Sequence, residues 1–526
     1  MLRALRAAAQ PVELVWAANP ASKAAAFARV ALGTPPGARC LLLHSPDAER
    51  VASQIGLALR RGGFVPVLSP LIVDAVTEQV VHGAAAALTR TGASFFVACG
   101  DSNVIDTVKT AAAVATNPGP LRAGGAEARV MRAPSLAALL VPAGPGGSAA
   151  VTGSDVLCAG HTWMTVTPAA GSPLACLASP GTVSLLPDAS PVLAAVAALA
   201  DCVEAVGTPS RLSRRARLLA LHGAARAACA LWALATPARE RRGGDSSEDS
   251  ASAAAANVAV ASACGSIAAG AVTLGAARGL ARAVSSQYRV SHASAAAAVL
   301  PAVVRHTVDR LAEIVDDADH GHVQGGDDAR AAGAALSAAD PSAAELLAWE
   351  MGGGSEDGED RRIGSDGGFT LPSLPGACAE ALRVAAASHA IAECGATASP
   401  WTSLQRLALL AGVLGAVREA AVPPALHGQW GQRVAPTCPP TSLGDVGGWT
   451  DACEALVTEV EALSAVAARL APAALTLPAA LGDADALRSV AEAAEVDAHT
   501  MGHAVPFSRT QLLEVLREAV PAPRLR

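Results

Sequence analysis

Short apolar runs alternate with longer amphipathic stretches through the first third of the chain. Arg39-Cys-Leu-Leu-Leu-His44 reads as a buried strand, followed by a helix over Asp47–Arg61. Phe64–Leu68 reads as a second strand, with a helix over about Asp74–Thr91. Ser94–Ala98 is a third, running through Cys99-Gly100-Asp101-Ser102-Asn103 into another helix. Leu136–Val141 is a fourth, ending in the loop Pro142–Ser148. Alternation at this spacing predicts a parallel sheet with helices on both faces. Ligands of such sheets bind at the carboxyl ends of the strands, where these loops lie.

After Pro187 the strand pattern stops. Ser190–Val206, Ser213–Leu234, Val258–Ala283 and Ala293–Ile314 read as helices, as do several later segments. Two polar stretches, 237–252 and about 316–376, interrupt them and read as surface inserts. Ser508, followed at the third position by Gln511 and then by Leu512, Leu513, Val515 and Leu516, marks the start of the last helix. The expected architecture is therefore a Rossmann-like α/β domain over 14–187 and an all-helical domain over 188–526.

Composition narrows the function classes. A chain of 526 residues exceeds what one core usually organises, which fits two domains. With 52% hydrophobic and 16% charged residues it is not a disordered chain. A net charge of −7 offers no footprint for a phosphate backbone, and 3% aromatics leave no base-stacking surface. The cysteines are scattered singly with no CxxC, which favours buried thiols over a disulfide framework or a zinc ribbon. Arg3 and Arg6 precede the first acid, Glu13, so residues 1–13 read as a mitochondrial targeting segment. Residues 251–277 carry no charge, but their Ala, Ser, Gly and Val content predicts buried helix, so no transmembrane helix is expected.

One strand–loop–helix carries a more specific signal. Val104-Ile105-Asp106-Thr107-Val108-Lys109 and Ala115-Thr116-Asn117-Pro118-Gly119 resemble the nucleotide loop of the iron-containing (group III) alcohol dehydrogenases, which share the dehydroquinate synthase-like fold. Lys109 is one of only two lysines, with Lys23. The resemblance continues through Val141–Thr152, Leu186–Gly207, Leu274-Gly-Ala-Ala-Arg278-Gly-Leu-Ala-Arg282 to His292, Val299–Val303 and Ala498–Thr510. It implies a nucleotide-binding α/β domain, a helical domain, NAD(P), and a divalent iron or zinc held by one Asp and three His.

The departures decide how much of that chemistry is expected. The resemblance places the metal ligands at Ala197, Asp201, Arg278 and His292. Alanine offers no ligand atom and arginine keeps its proton, so no metal is expected there. Instead, Asp201 and Arg278 should pair, because either charge alone in a half-buried place is costly. The phosphate loop should be Gly-Gly-Gly-Ser and reads Gly100, Asp101, Ser102, Asn103. Bare amides are what a pyrophosphate needs, so the carboxylate of Asp101 opposes it. In the second loop a Thr-Thr pair becomes Ala143-Gly144 and a Glu becomes Ala150, while Gly146, Gly147 and Ser148 remain. Asp316, Asp317, Asp319, His320 and His322 form the densest cluster of ligand-type residues and read as a solvated loop.

Two readings follow. In the first, the chain is a catalytically inactive relative of this family, with no catalytic residue and no cofactor, serving as an accessory subunit among other protein subunits of a mitochondrial complex. Its vestigial cofactor positions are Gly100, Asp101, Ser102, Asn103, Asp106, Lys109, Gly146, Gly147 and Ser148. In the second it is an active NAD(P)-dependent alcohol or hydroxyacid dehydrogenase with a rearranged metal site, using Asp201, Glu204, His292 and Lys109. Fold alone does not choose between them; the site must.

Overall fold

The computed structural model describes residues 13–17, 19–73, 75–121, 131–144, 150, 154–158, 162–169, 171–187, 189–208, 214–236, 247–270, 275–320, 374, 376–387, 400–422, 446–475, 477–495 and 507–520. The α/β part comprises β1 (Glu13–Trp16), α1 (Pro20–Val30), β2 (Arg39–His44), α2 (Glu49–Arg61), β3 (Val65–Pro70), α3 (Glu78–Thr91), β4 (Phe95–Gly100), α4 (Ser102–Thr116), β5 (Ala138–Pro142), β6 (Ser154–Cys158), β7 (Thr162–Val166) and β8 (Leu174–Ala178). Six strands form one sheet in the order β1-β8-β5-β4-β2-β3, and every pair is parallel.

Successive side chains alternate between the two covered faces of the sheet, so the inner strands are buried on both sides. Leu41, Leu43, Phe96, Ala98 and Leu140 face α3 and α4, whose Val81, Leu88, Val104, Ile105 and Val108 cover them. Cys40, Leu42, Phe95, Val97 and Leu139 face α1 and α2, which contribute Ala24, Ala28, Val51, Ile55 and Leu59. β4 is buried at all six positions because it lies inside the sheet with β2 and β5 beside it. β3 is an outer strand. Val65 N–H donates to Ala38 O and Leu71 N–H to His44 O, so the odd positions bond β2 and Pro66, Leu68 and Pro70 turn their backbone outward.

Four of the six strands match the sequence reading within two residues. β1 and β8 are additional, as is the antiparallel hairpin of β6 and β7.

The helical part contains α5 (Ala189–Gly207), α6 (Arg214–Ala235), α7 (Ser247–Gly270), α8 (Ala276–Tyr288), α9 (His292–His320), α10 (Gly376–Ala387), α11 (Pro400–Ala421), α12 (Val446–Leu470), α13 (Ala484–Glu495) and α14 (Arg509–Ala519). The single helix expected over Val258–Ala283 is two helices, α7 and α8. The expected insert at 237–252 is shorter, because 247–252 form the first turns of α7. Likewise Asp316–His320 belong to the end of α9 rather than to an insert, while 321–373 lie outside the described residues. Ser508 and Gln511 form the expected reciprocal cap of α14.

α5, α6 and α7 pack closely because their contact faces are small. A Cβ on Gly223 of α6 would fall 2.7 Å from Cys202 Sγ and 2.8 Å from Cys264 Cβ. Among the described residues three helices, where the sequence pointed to one stretch at 251–277, are long and apolar enough to cross a membrane. These are Ala189–Gly207, Ala216–Ala235 and Ala251–Gly270, and 83% of each apolar window is buried inside the fold.

Candidate functional site

The loop that resembles a phosphate cradle is built for contact with protein. Gly100 ends β4 directly against Ser45, where a Cβ would meet Ser45 Oγ at 2.8 Å and its backbone N at 3.1 Å. Asp101 has extended backbone and caps α4, its Oδ1 accepting Val104 N–H at 3.1 Å. On the other side, Ala143 N–H donates to Gly100 O at 2.9 Å. Gly144, at φ 133°, lies so close that its absent Cβ would sit 3.5 Å from Asp101 Cβ. Burial pushes the Asp101 carboxyl up to about 6; the Val104 amide pulls it down and the charge of Asp47 pushes it further up. Ser102 is the first residue of α4. Asn103 Nδ2 donates to Val73 O at 2.9 Å, fastening α4 to the segment after β3. Gly146, Gly147 and Ser148 lie outside the described residues.

The extended motif after this loop also acts within the protein. Lys109 is fully buried, and its Nζ lies 3.5 Å from Asp106 Oδ1 one turn earlier on α4. Asn117 spends its amide on the chain returning to β5. Its Nδ2 donates to Ala113 O and Ala133 O, both at 2.9 Å, and its Oδ1 accepts the N–H groups of Arg132 and Ala133.

In the helical part, two of the four positions expected around the metal meet. Ala197 and Asp201 lie one turn apart on α5. Arg278 approaches from α8, and its Nη1 lies 3.4 Å from Asp201 Oδ1. The expected ion pair is formed. Glu204, one turn further along α5, is buried and accepts Ala277 N–H at 2.7 Å and Arg278 N–H at 3.3 Å. It therefore caps α8, whose own N-cap residue, Gly275, has no side chain to do so. Burial raises the Glu204 carboxyl to about 7 and the Asp201 charge adds to this, while the two amides and the Arg278 charge pull it down. His292 is the half-buried first residue of α9. The sequence reading named Glu204 only among the residues an active enzyme would use and gave no hint of its capping role.

The four positions thus hold a methyl group, a carboxylate, a guanidinium and an imidazole. Among the described residues no three His, Cys, Asp or Glu side chains gather as metal ligands. Asp316–His320 are described only as helical backbone, and His322 lies outside the described residues.

Between the ends of β5 and β8 and the face of α7 lies a pocket of about 30 Å³, lined among others by Pro142, Gly144, Cys176, Ser179, Ala259 and Ser262.

Solved structures share this fold over almost the whole chain. A 1,3-propanediol oxidoreductase matches with a TM-score of 0.60 at 15% identity, over 97% of this chain and 98% of its own. An iron-containing alcohol dehydrogenase from Thermococcus thioreducens matches at 0.59 and 13%, again over 97% and 98%. The NADH-dependent butanol dehydrogenase A of Thermotoga maritima matches at 0.58 and 14%, over 97% of each chain. No protein-family model and no curated protein matches the chain. The likeness is one of fold, and the fold is that of the iron-containing alcohol dehydrogenases.

Proposed function

We propose that this chain is a catalytically inactive relative of the iron-containing alcohol dehydrogenases, retained as a structural or accessory subunit of a mitochondrial protein assembly. The observation that carries this reading is the Asp201–Arg278 pair. A divalent ion needs several converging donors, and a guanidinium cannot shed its charge to become one. With Arg278 fixed against Asp201, the residues present do not fit a divalent metal. They do not fit a tightly held NAD(P) either. Asp101 places a carboxylate where phosphates would approach amides, and Gly144 packs against it. The Arg-bearing, acid-free start of the sequence supports the mitochondrial part, and the polar inserts are the natural contact surfaces for other subunits.

The competing reading, an active NAD(P)-dependent dehydrogenase, is favoured by one observation. Glu204 is raised to about 7, the range of a working base. Both of its oxygens, however, are engaged by α8 amides, Asp201 is paired with Arg278, and Lys109 is paired with Asp106.

The deciding experiment is metal analysis of the purified chain combined with calorimetric titration of NAD(H) and NADP(H). Substoichiometric iron and zinc with no micromolar binding is the expected result. Stoichiometric metal with micromolar cofactor affinity overturns the proposal. Sedimentation of the endogenous protein in a mitochondrial extract tests the assembly, and a free monomer there counts against it.

A further inference from the structure

α8 carries a second arginine one turn beyond Arg278, and it reaches the α/β part. The guanidinium carbon of Arg282 lies 5.3 Å from the centre of the Trp163 ring, within cation–π range. From the same tryptophan, Nε1–H donates to Arg282 O at 3.0 Å. Arg282 is 3% exposed and Trp163 half-buried, so the cation is shielded from water and its attraction to the ring is strengthened.

Trp163 belongs to β7, and its hairpin is anchored on the sheet side. Leu157 N–H donates to Val76 O at 2.7 Å, β6 lies against α3 and α4, and Val156, Met164 and Val166 enter the core. On the helical side, α8 is fastened to α5 through Asp201, Glu204 and Arg278. A second tie crosses the same boundary, where Ser190 Oγ at the start of α5 donates to Asp47 Oδ2 at 3.0 Å. Two layered parts of one chain generally move relative to each other unless something holds them. Here a small cavity of about 30 Å³ lies at the boundary, at the strand ends.

We propose that Trp163 and Arg282 form a latch that holds the cleft between the sheet and the helical part shut. Because α8 is fixed to α5, the latch acts on the helices as a body and not on α8 alone. Release of the hairpin lets the pocket beside Ser179 and Ser262 widen. This holds whether or not the protein is a catalyst, since neither Trp163 nor Arg282 is assigned to either chemistry.

Hydrogen exchange on the full chain tests it, with Trp163→Ala, Trp163→Phe and Arg282→Lys variants. Trp163→Ala should speed exchange of amides at Ser179–Val183 and Ala259–Ser266 by about tenfold, leaving α13 and α14 unchanged. Trp163→Phe keeps a ring over the cation and loses only the N–H, so it should show a smaller effect at the same amides. It also serves as the readout if Trp163→Ala does not fold. Folded variants with wild-type exchange at the cleft overturn the latch. So does uniform acceleration that includes α13 and α14, which marks general loosening instead.

Discussion

Arg278 Nη1 on α8 and Asp201 Oδ1 on α5 stand 3.4 Å apart, each side chain 14% exposed, across 77 residues of sequence. In that degree of burial a lone charge costs more than the pair gains. Asp201→Ala should therefore lower unfolding free energy by on the order of 2 kcal/mol, because it strands the guanidinium. The double variant Asp201→Ala/Arg278→Met should lose clearly less than the two single losses combined. Urea unfolding of the four proteins measures the coupling, and strict additivity refutes it.

Glu204 gives stability an unusual pH slope. A carboxyl whose folded value is raised from 4.5 to about 7 binds its proton more tightly in the native state. Its contribution is therefore most favourable below about pH 4.5 and is lost as pH rises through 7, by on the order of 3 kcal/mol in all. Denaturant titrations should show this decline between pH 6 and 8, above the range in which Asp101, raised to about 6, adds its own, and Glu204→Gln should flatten it there. A slope that survives the substitution assigns the proton elsewhere.

Asp101 works as a cap, so its shape matters more than its charge. Asp101→Ala should cost about 1 kcal/mol, whereas Asp101→Asn should cost only a small fraction of that. Replacing Asp101 and Ser102 together by Gly removes the repulsion facing a phosphate and should raise any residual NADH affinity. Fluorescence titration reads this directly, and no change would count against the carboxylate as the obstacle.

Two glycines should respond to alanine in opposite directions. Gly223→Ala drives a methyl into Cys202 Sγ and Cys264 Cβ, so a loss of about 1–3 kcal/mol is expected. Gly83, exposed within α3, has nothing within 4 Å of its missing Cβ, and alanine there should gain up to about 1 kcal/mol. Thermal melts of the two variants give the comparison.

The strands β2 to β5 are legible in the sequence because buried parallel strands read as unbroken apolar runs. β8 is not, since Leu174-Ala-Cys-Leu-Ala178 lacks the β-branched side chains that distinguish a strand from an Ala-rich helix. The break between α7 and α8 is hidden for a related reason. Ala251–Ala277 has neither charge nor period, so nothing marks a turn within it. Asp201 and Arg278 could be paired in advance because a single family site aligned both. Glu204 and Trp163 could not, because their partners are backbone groups 73 and 119 residues away. A backbone amide leaves no trace in the residue letters.

The outward-facing prolines of β3 have a consequence for the protein in crowded solution. An outer strand normally offers a ladder of free amides on which another chain can grow, strand upon strand. With Pro66 and Pro70 at outward positions, only Leu68 between them still has an N–H to offer there. A foreign strand laid along this edge would find one donor where it needs three. Apolar side chains such as Val65 and Leu68 can remain exposed there without seeding fibres.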